Sequence, residues 1–166
     1  MSRNIKSVIR SPRMLVVVRV LGAILLLFVG ADHYYEYSVD DYSVLPTIGT
    51  LFLLNFISAT ATGLILLAPL NRIMRRFGRI TLQLASLSGF GIAATSLVAL
   101  LVSEHTKLFG FMESNYRPAI IVAIASEASA AVILLLLFIA SWGPERPVSR
   151  PSAPLADRSQ PSAGTP

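Results

Sequence analysis

The sequence predicts an all-α protein: a four-helix transmembrane bundle with a disordered C-terminal tail. Three observations predict it. Apolar residues gather into four blocks that are too long for the core helices of a soluble domain. Charge is scarce, since only 14% of the 166 residues are Asp, Glu, Lys or Arg, against about a quarter in soluble proteins. The basic residues also crowd into alternate connections between the blocks, as they do in multi-span membrane proteins. There is no cysteine, which excludes disulfides, thiolate metal sites and dithiol redox chemistry within the chain.

Residues 1–13 form a basic, cytoplasmic N-terminus with Arg3, Lys6, Arg10 and Arg13 and no acid. The first span, about 14–31, is interrupted by Arg19. The same basic segment, apolar core and Val29-Gly30-Ala31 also have the form of a signal peptide cleaved before Asp32. The connection that follows is acidic and aromatic: Asp32, Glu36, Asp40 and Asp41 alternate with Tyr34, Tyr35, Tyr37 and Tyr42. Tyrosines at the end of a span belong to the interfacial belt.

Pro46 restricts Leu45 and suits the first turn of the second span, about 47–70, in which Asn55 is the polar intruder. Residues 71–79 are a short basic turn whose Arg72, Arg75, Arg76 and Arg79 signal topology and also offer cations to anionic lipid headgroups. The third span covers about 80–102, and a mixed loop carrying Glu104, His105 and Lys107 leads to the fourth, about 119–141. Trp142 marks its end. Residues 142–166 are rich in Pro, Ser, Ala and Arg, too poor in apolar surface to fold, and are expected to be a disordered cytoplasmic tail. From the N-terminus, the segments outside the spans carry four, none, four, two and three Lys or Arg residues. That alternation predicts a multi-pass plasma-membrane protein with both termini in the cytoplasm.

Glu127 is the residue around which the chemistry gathers. It lies within the apolar run AIIVAIASEASAAVILLLLFIAS, about 12 Å below the outer surface at ~1.5 Å per residue. A carboxyl at that depth costs several kcal/mol unless it is protonated, paired or hydrated. It reads either as a hydrogen-bonding link between helices or as a proton- or ligand-binding group. Ala119, Ala123, Glu127 and Ala131 recur at i+4, as do Asn55, Ala59 and Gly63, and Ala85, Gly89 and Ala93. Small residues at this spacing allow helices to pack closely.

Asn55 and Glu127 have matched depths, which predicts a hydrogen bond between them. Arg19, about 10 Å of depth from Glu127, is placed to approach it directly or through water, or else to snorkel to the inner face. The cluster Asp32, His33, Glu36, Asp40 and Asp41, with Glu104 and His105 across from it, has metal-ligating residue types on the outer face. Its spacing matches no metal motif, so no metal is expected. Phosphate loops, nucleophile elbows and dinucleotide fingerprints are absent. The net charge of +5 is accounted for by topology, so nucleic acid is not an expected partner.

His33 and Tyr37, followed by Tyr42-Ser-Val-Leu-Pro46-Thr-Ile-Gly49-Thr-Leu-Phe-Leu-Leu-Asn55, resemble a group of uncharacterised small four-span actinobacterial integral membrane proteins. That resemblance covers residues 15–65. More distantly, Arg19, the Gly30 region and His33 are similar to the first span of DoxX-like proteins, four-helix membrane proteins of which some are linked to quinol oxidation or thiosulfate metabolism. The resemblance implies the four-helix fold, and a thiol-based version of that chemistry is removed by the absence of cysteine.

The leading expectation for function is a non-enzymatic accessory or interaction subunit of an envelope assembly, with the bilayer, other membrane proteins or further copies of itself as partners. The rival is a DoxX-like redox or lipid- or quinone-binding subunit with its ligand near Glu127 and Asn55. A third is an oligomeric proton-coupled carrier. A dry bundle with its polar groups paired to one another would favour the first. An apolar cavity beside Glu127 would favour the second.

Overall fold

A computed structural model describes residues 12–69, 77–110, 112 and 118–142. The basic N-terminus up to residue 11, Arg72, Arg75, Arg76 and the expected tail from residue 143 onward lie outside the described residues. Within them the chain forms four helices: α1 (Pro12–Ser38), α2 (Pro46–Leu67), α3 (Gly78–Ser103) and α4 (Pro118–Ser141). A 3₁₀ turn, Tyr42–Val44, joins α1 to α2. Each helix is long and apolar enough to cross a bilayer. The protein is a small multipass membrane protein.

Proline sets several helix ends. Pro46 occupies the start of α2 and holds Leu45 extended (φ −91°, ψ 106°), as a residue before proline must be. Ala68, before Pro69, is likewise extended and ends α2 at Leu67. Asp41 turns the chain in the left-handed region (φ 59°), which Asp tolerates better than most residues.

The helices form a ring in chain order. α1 packs against α2 and α4, and α3 against α4 and α2, which leaves α2 and α4 on the long diagonal. The core is built on Leu26, Leu66, Leu134 and Leu137, all fully buried among Ala23, Ala59, Ala93 and Ala130. The small-residue stripes do face inward: Ala59, Gly63, Ala85, Gly89 and Ala93 are all buried. At Gly63 a Cβ would come within 2.9 Å of Leu27 and 3.3 Å of the Ala23 carbonyl oxygen, so the α1–α2 approach depends on its absence.

α1 is longer than expected. It does not stop near residue 31 but continues in helix to Ser38, because Asp32–Ser38 contains no helix breaker and its inward face stays packed. His33 and Glu36, expected in an outer loop, are therefore buried on α1. The helix runs unbroken through Val29–Asp32, and Ala23, Leu26 and Val29 belong to the core. Arg79 lies in the first turn of α3, where its Nε donates to the Ser141 carbonyl oxygen at 3.1 Å. Gln83 donates to the same oxygen at 3.2 Å. A cation and an amide thus satisfy a carbonyl at the C-terminus of α4, where the helix dipole also favours positive charge.

Candidate functional site: a polar chamber inside the bundle

Near the end that carries the α1–α2 connection, the four helices enclose a cavity of about 290 Å³. Glu127 lines it from α4, His33 and Asp32 from α1, Asn55 and Phe52 from α2, and Ser96 from α3. Most of the remaining lining is apolar or small, Ile48, Leu100, Ala119 and Ile120 among it. Phe52 stands between two rings, 5.1 Å from His33 and 5.0 Å from Tyr42.

Glu127 is only 2% exposed, and its Oε1 lies 2.6 Å from Ser96 Oγ. Ser96 Oγ is in turn 2.8 Å from His33 Nε2, which is 3.7 Å from Glu127 Oε1. His33 Nδ1 is 2.9 Å from the Val29 carbonyl oxygen. A carbonyl only accepts, so Nδ1 carries a proton and Nε2 faces Ser96 as the variable position.

Two proton arrangements satisfy this chain. In one, protonated Glu127 donates to Ser96, and the Ser96 hydroxyl donates to neutral His33. In the other, each proton has moved one link, so that cationic His33 donates to Ser96 and Ser96 donates to ionised Glu127. Net charge is zero in both. Separating charge in a low-dielectric interior is costly when further hydrogen bonds are lacking, so burial favours the first arrangement. Among the described residues, neither Glu127 Oε2 nor Asn55 Oδ1 has a hydrogen-bond partner. Both are buried polar atoms of residues that line the cavity.

The expected Asn55–Glu127 hydrogen bond is not formed. Matched depth was the right criterion for neighbouring helices, but α2 and α4 are diagonal in the ring, and α1 and α3 supply the partners instead. Nor does Arg19 approach Glu127. It shares α1 with His33 but lies fourteen positions before it, about 21 Å of helix, because the length of α1 puts His33, not Arg19, at the level of Glu127. Arg19 is half-buried with its Nε unpartnered.

The outer cluster is divided. His33, Glu36 and Asp32 line the chamber, while His105 is exposed, with Nδ1 2.9 Å from the Leu101 carbonyl oxygen. Of the headgroup candidates, Arg79 serves the α4 terminus as described. Reasoning from sequence missed Ser96, Phe52 and Tyr42 as chamber residues. A signal for Ser96 was present, since the Ala85, Gly89, Ala93 stripe reaches it at i+3. Compared with family models, curated proteins and solved structures, the chain matches none.

Proposed function

We propose that this protein binds an amphipathic, membrane-soluble small molecule whose polar head enters the chamber beside Glu127. One observation carries the reading. A cavity within the bundle, about 290 Å³ in volume, is lined by Glu127 and Asn55, each of which keeps a buried oxygen without a partner. Such atoms cost free energy unless something satisfies them, and an apolar cavity with a few converging polar groups is the usual form of a ligand site. The accessory-subunit reading calls for a closed, self-satisfied interior and has less support. The resemblance of the first span to DoxX-like proteins, some of them linked to quinol oxidation, adds an isoprenoid quinol, with its donating hydroxyls, to the ligands worth testing.

Asn55→Leu is the informative variant, because it narrows the chamber and removes an oxygen that has no partner among the described residues. Purified protein in lipid nanodiscs should retain a small molecule at near 1:1 stoichiometry by native mass spectrometry. Asn55→Leu should lose that molecule with Tm unchanged or raised. The same bound species in both proteins, or bulk lipid alone in the wild type, would overturn the reading.

The basic counts support an orientation with both termini inside and the chamber in the outer half of the membrane. Single cysteines at Ser38 and Ser114 should react with an impermeant thiol reagent on intact cells, and one at Ser152 should not. The native chain has no cysteine, so the background is silent. Labelling at Ser152 alone would invert the topology.

A further inference from the structure

We infer that the ligand is a single-chain amphipath with an uncharged or cationic hydrogen-bond-donating head, such as a hydroxyl or an amine, and that its chain leaves the chamber sideways between α2 and α3. This rests on the binding role proposed above and adds both the ligand class and its route.

Size comes first. A cavity of about 290 Å³ lies at the lower limit of the ~300–1,000 Å³ of ordinary ligand pockets. It accommodates a head and a few carbons, so a lipid-sized molecule must project out of it.

Among the described residues, the wall offers a place for that between α2 and α3. A shallow groove on the outside of the bundle, between α2 and α3, shares Leu51, Thr95, Ala99 and Leu108 with the chamber. Its remaining lining is apolar, including Val98 and Val102. Leu51, Thr95, Val98, Ala99 and Val102 are exposed on the bundle surface, and α2–α3 is the thinnest of the four seams of the ring. At the level of the chamber the α1–α2 seam, by contrast, is crossed by the ring contacts His33–Phe52 and Tyr34–Phe56, and the α3–α4 seam by the Ser96–Glu127 hydrogen bond. An apolar chain lying in the α2–α3 groove exchanges contact with lipid tails for contact with protein, so it can pass between the two environments at little cost.

The chemistry of the head follows from charge. Asp32, Glu36 and Glu127 all line the chamber, and among the described residues no Lys or Arg does. A carboxylate or phosphate head would set acceptor against acceptor and bring a like charge into a low-dielectric site. A donor head meets Glu127 Oε2 and Asn55 Oδ1, two chamber oxygens without a partner among the described residues. Free fatty acids and phospholipids are thereby disfavoured, the latter despite making up most of a bilayer.

The probe is a long-chain primary alcohol with a mid-chain diazirine, with the fatty acid of the same chain and diazirine as its comparator, in nanodiscs of zwitterionic lipid. Photolabelling by the alcohol should saturate and map to Leu51, Thr95, Val98, Ala99 and Val102. Asn55→Leu should reduce it at least tenfold, and the fatty acid should label at least tenfold less. Ala99→Trp, or Val98→Trp if the first is poorly folded, should obstruct the groove and reduce labelling without lowering Tm. Asn55-dependent labelling at Glu36, Tyr42 and Ser103 instead would refute the sideways route and leave the binding role standing. Equal labelling by alcohol and acid would refute the head class. Labelling that neither saturates nor responds to Asn55→Leu would overturn the binding role itself.

Discussion

Ser96→Ala is expected to destabilise the bundle by about 2 kcal/mol, although it removes a single oxygen atom. Ser96 is the middle link between Glu127 Oε1, at 2.6 Å, and His33 Nε2, at 2.8 Å. Without it those two groups face each other across 3.7 Å, and the Glu127 carboxyl, unpartnered at Oε2 among the described residues, loses its hydrogen bond to Ser96. A buried polar group left unsatisfied costs ~1–3 kcal/mol, which exceeds the ~0.6 kcal/mol of an average interhelical hydrogen bond. The effect must be strongly non-additive with loss of the carboxyl. In a Glu127→Leu background Ser96→Ala should cost less than in the wild type, because only His33 Nε2 then loses its partner. Glu127→Gln should stay within about 1 kcal/mol of wild type, since an amide donating to Ser96 reproduces the uncharged proton arrangement. Asn55→Leu should add independently to Glu127→Leu. Unfolding titrations in bicelles read all of these. Additivity of Ser96 with Glu127 would break the chain, and a severe Glu127→Gln loss would show that the charged arrangement is the one that holds the bundle.

Gly49→Ala is expected to be at least as damaging, at about 3 kcal/mol, and to empty the chamber as well. A Cβ at Gly49 would sit 2.6 Å from the Tyr42 carbonyl oxygen and 3.0 Å from Ser43 Cα. Both are backbone atoms of the 3₁₀ turn, which cannot rotate away as a side chain can. That turn is tied to α2 by Leu45 N–H donating to the Tyr42 carbonyl (3.1 Å) and Gly49 N–H donating to that of Leu45 (2.8 Å). Displacing it pulls Tyr42 off Phe52 and opens the end of the cavity. Overpacking of this kind costs ~1–3 kcal/mol, and an immovable neighbour puts Gly49 at the top of the range. Gly63→Ala should fall lower, because its nearest contact is the flexible Leu27 side chain. Gly91, with nothing within 4 Å of its would-be Cβ, should gain up to ~1 kcal/mol as Ala from helix propensity. The order Gly49, Gly63, Gly91, from worst to best, is measurable in one set of melts. A harmless Gly49→Ala would mean that the turn does not pack as described.

The four spans, their inward small-residue faces and the singular position of Glu127 were all legible without coordinates. Each follows from one-dimensional quantities: run length against bilayer thickness, spacing along a helix, and the cost of burying a carboxyl. Even the continuation of α1 left a trace, since Ala23, Leu26, Val29, His33 and Glu36 keep a three-four spacing across the acidic boundary at Asp32. What no single helix contains is which helix stands beside which. Asn55 and Glu127 share a depth, yet ring order sets them on a diagonal and brings Ser96 and His33 to the carboxyl instead. The void that leaves Glu127 Oε2 and Asn55 Oδ1 without partners is likewise a property of how four surfaces meet. Depth is set along one helix, but adjacency and empty space are set among all four.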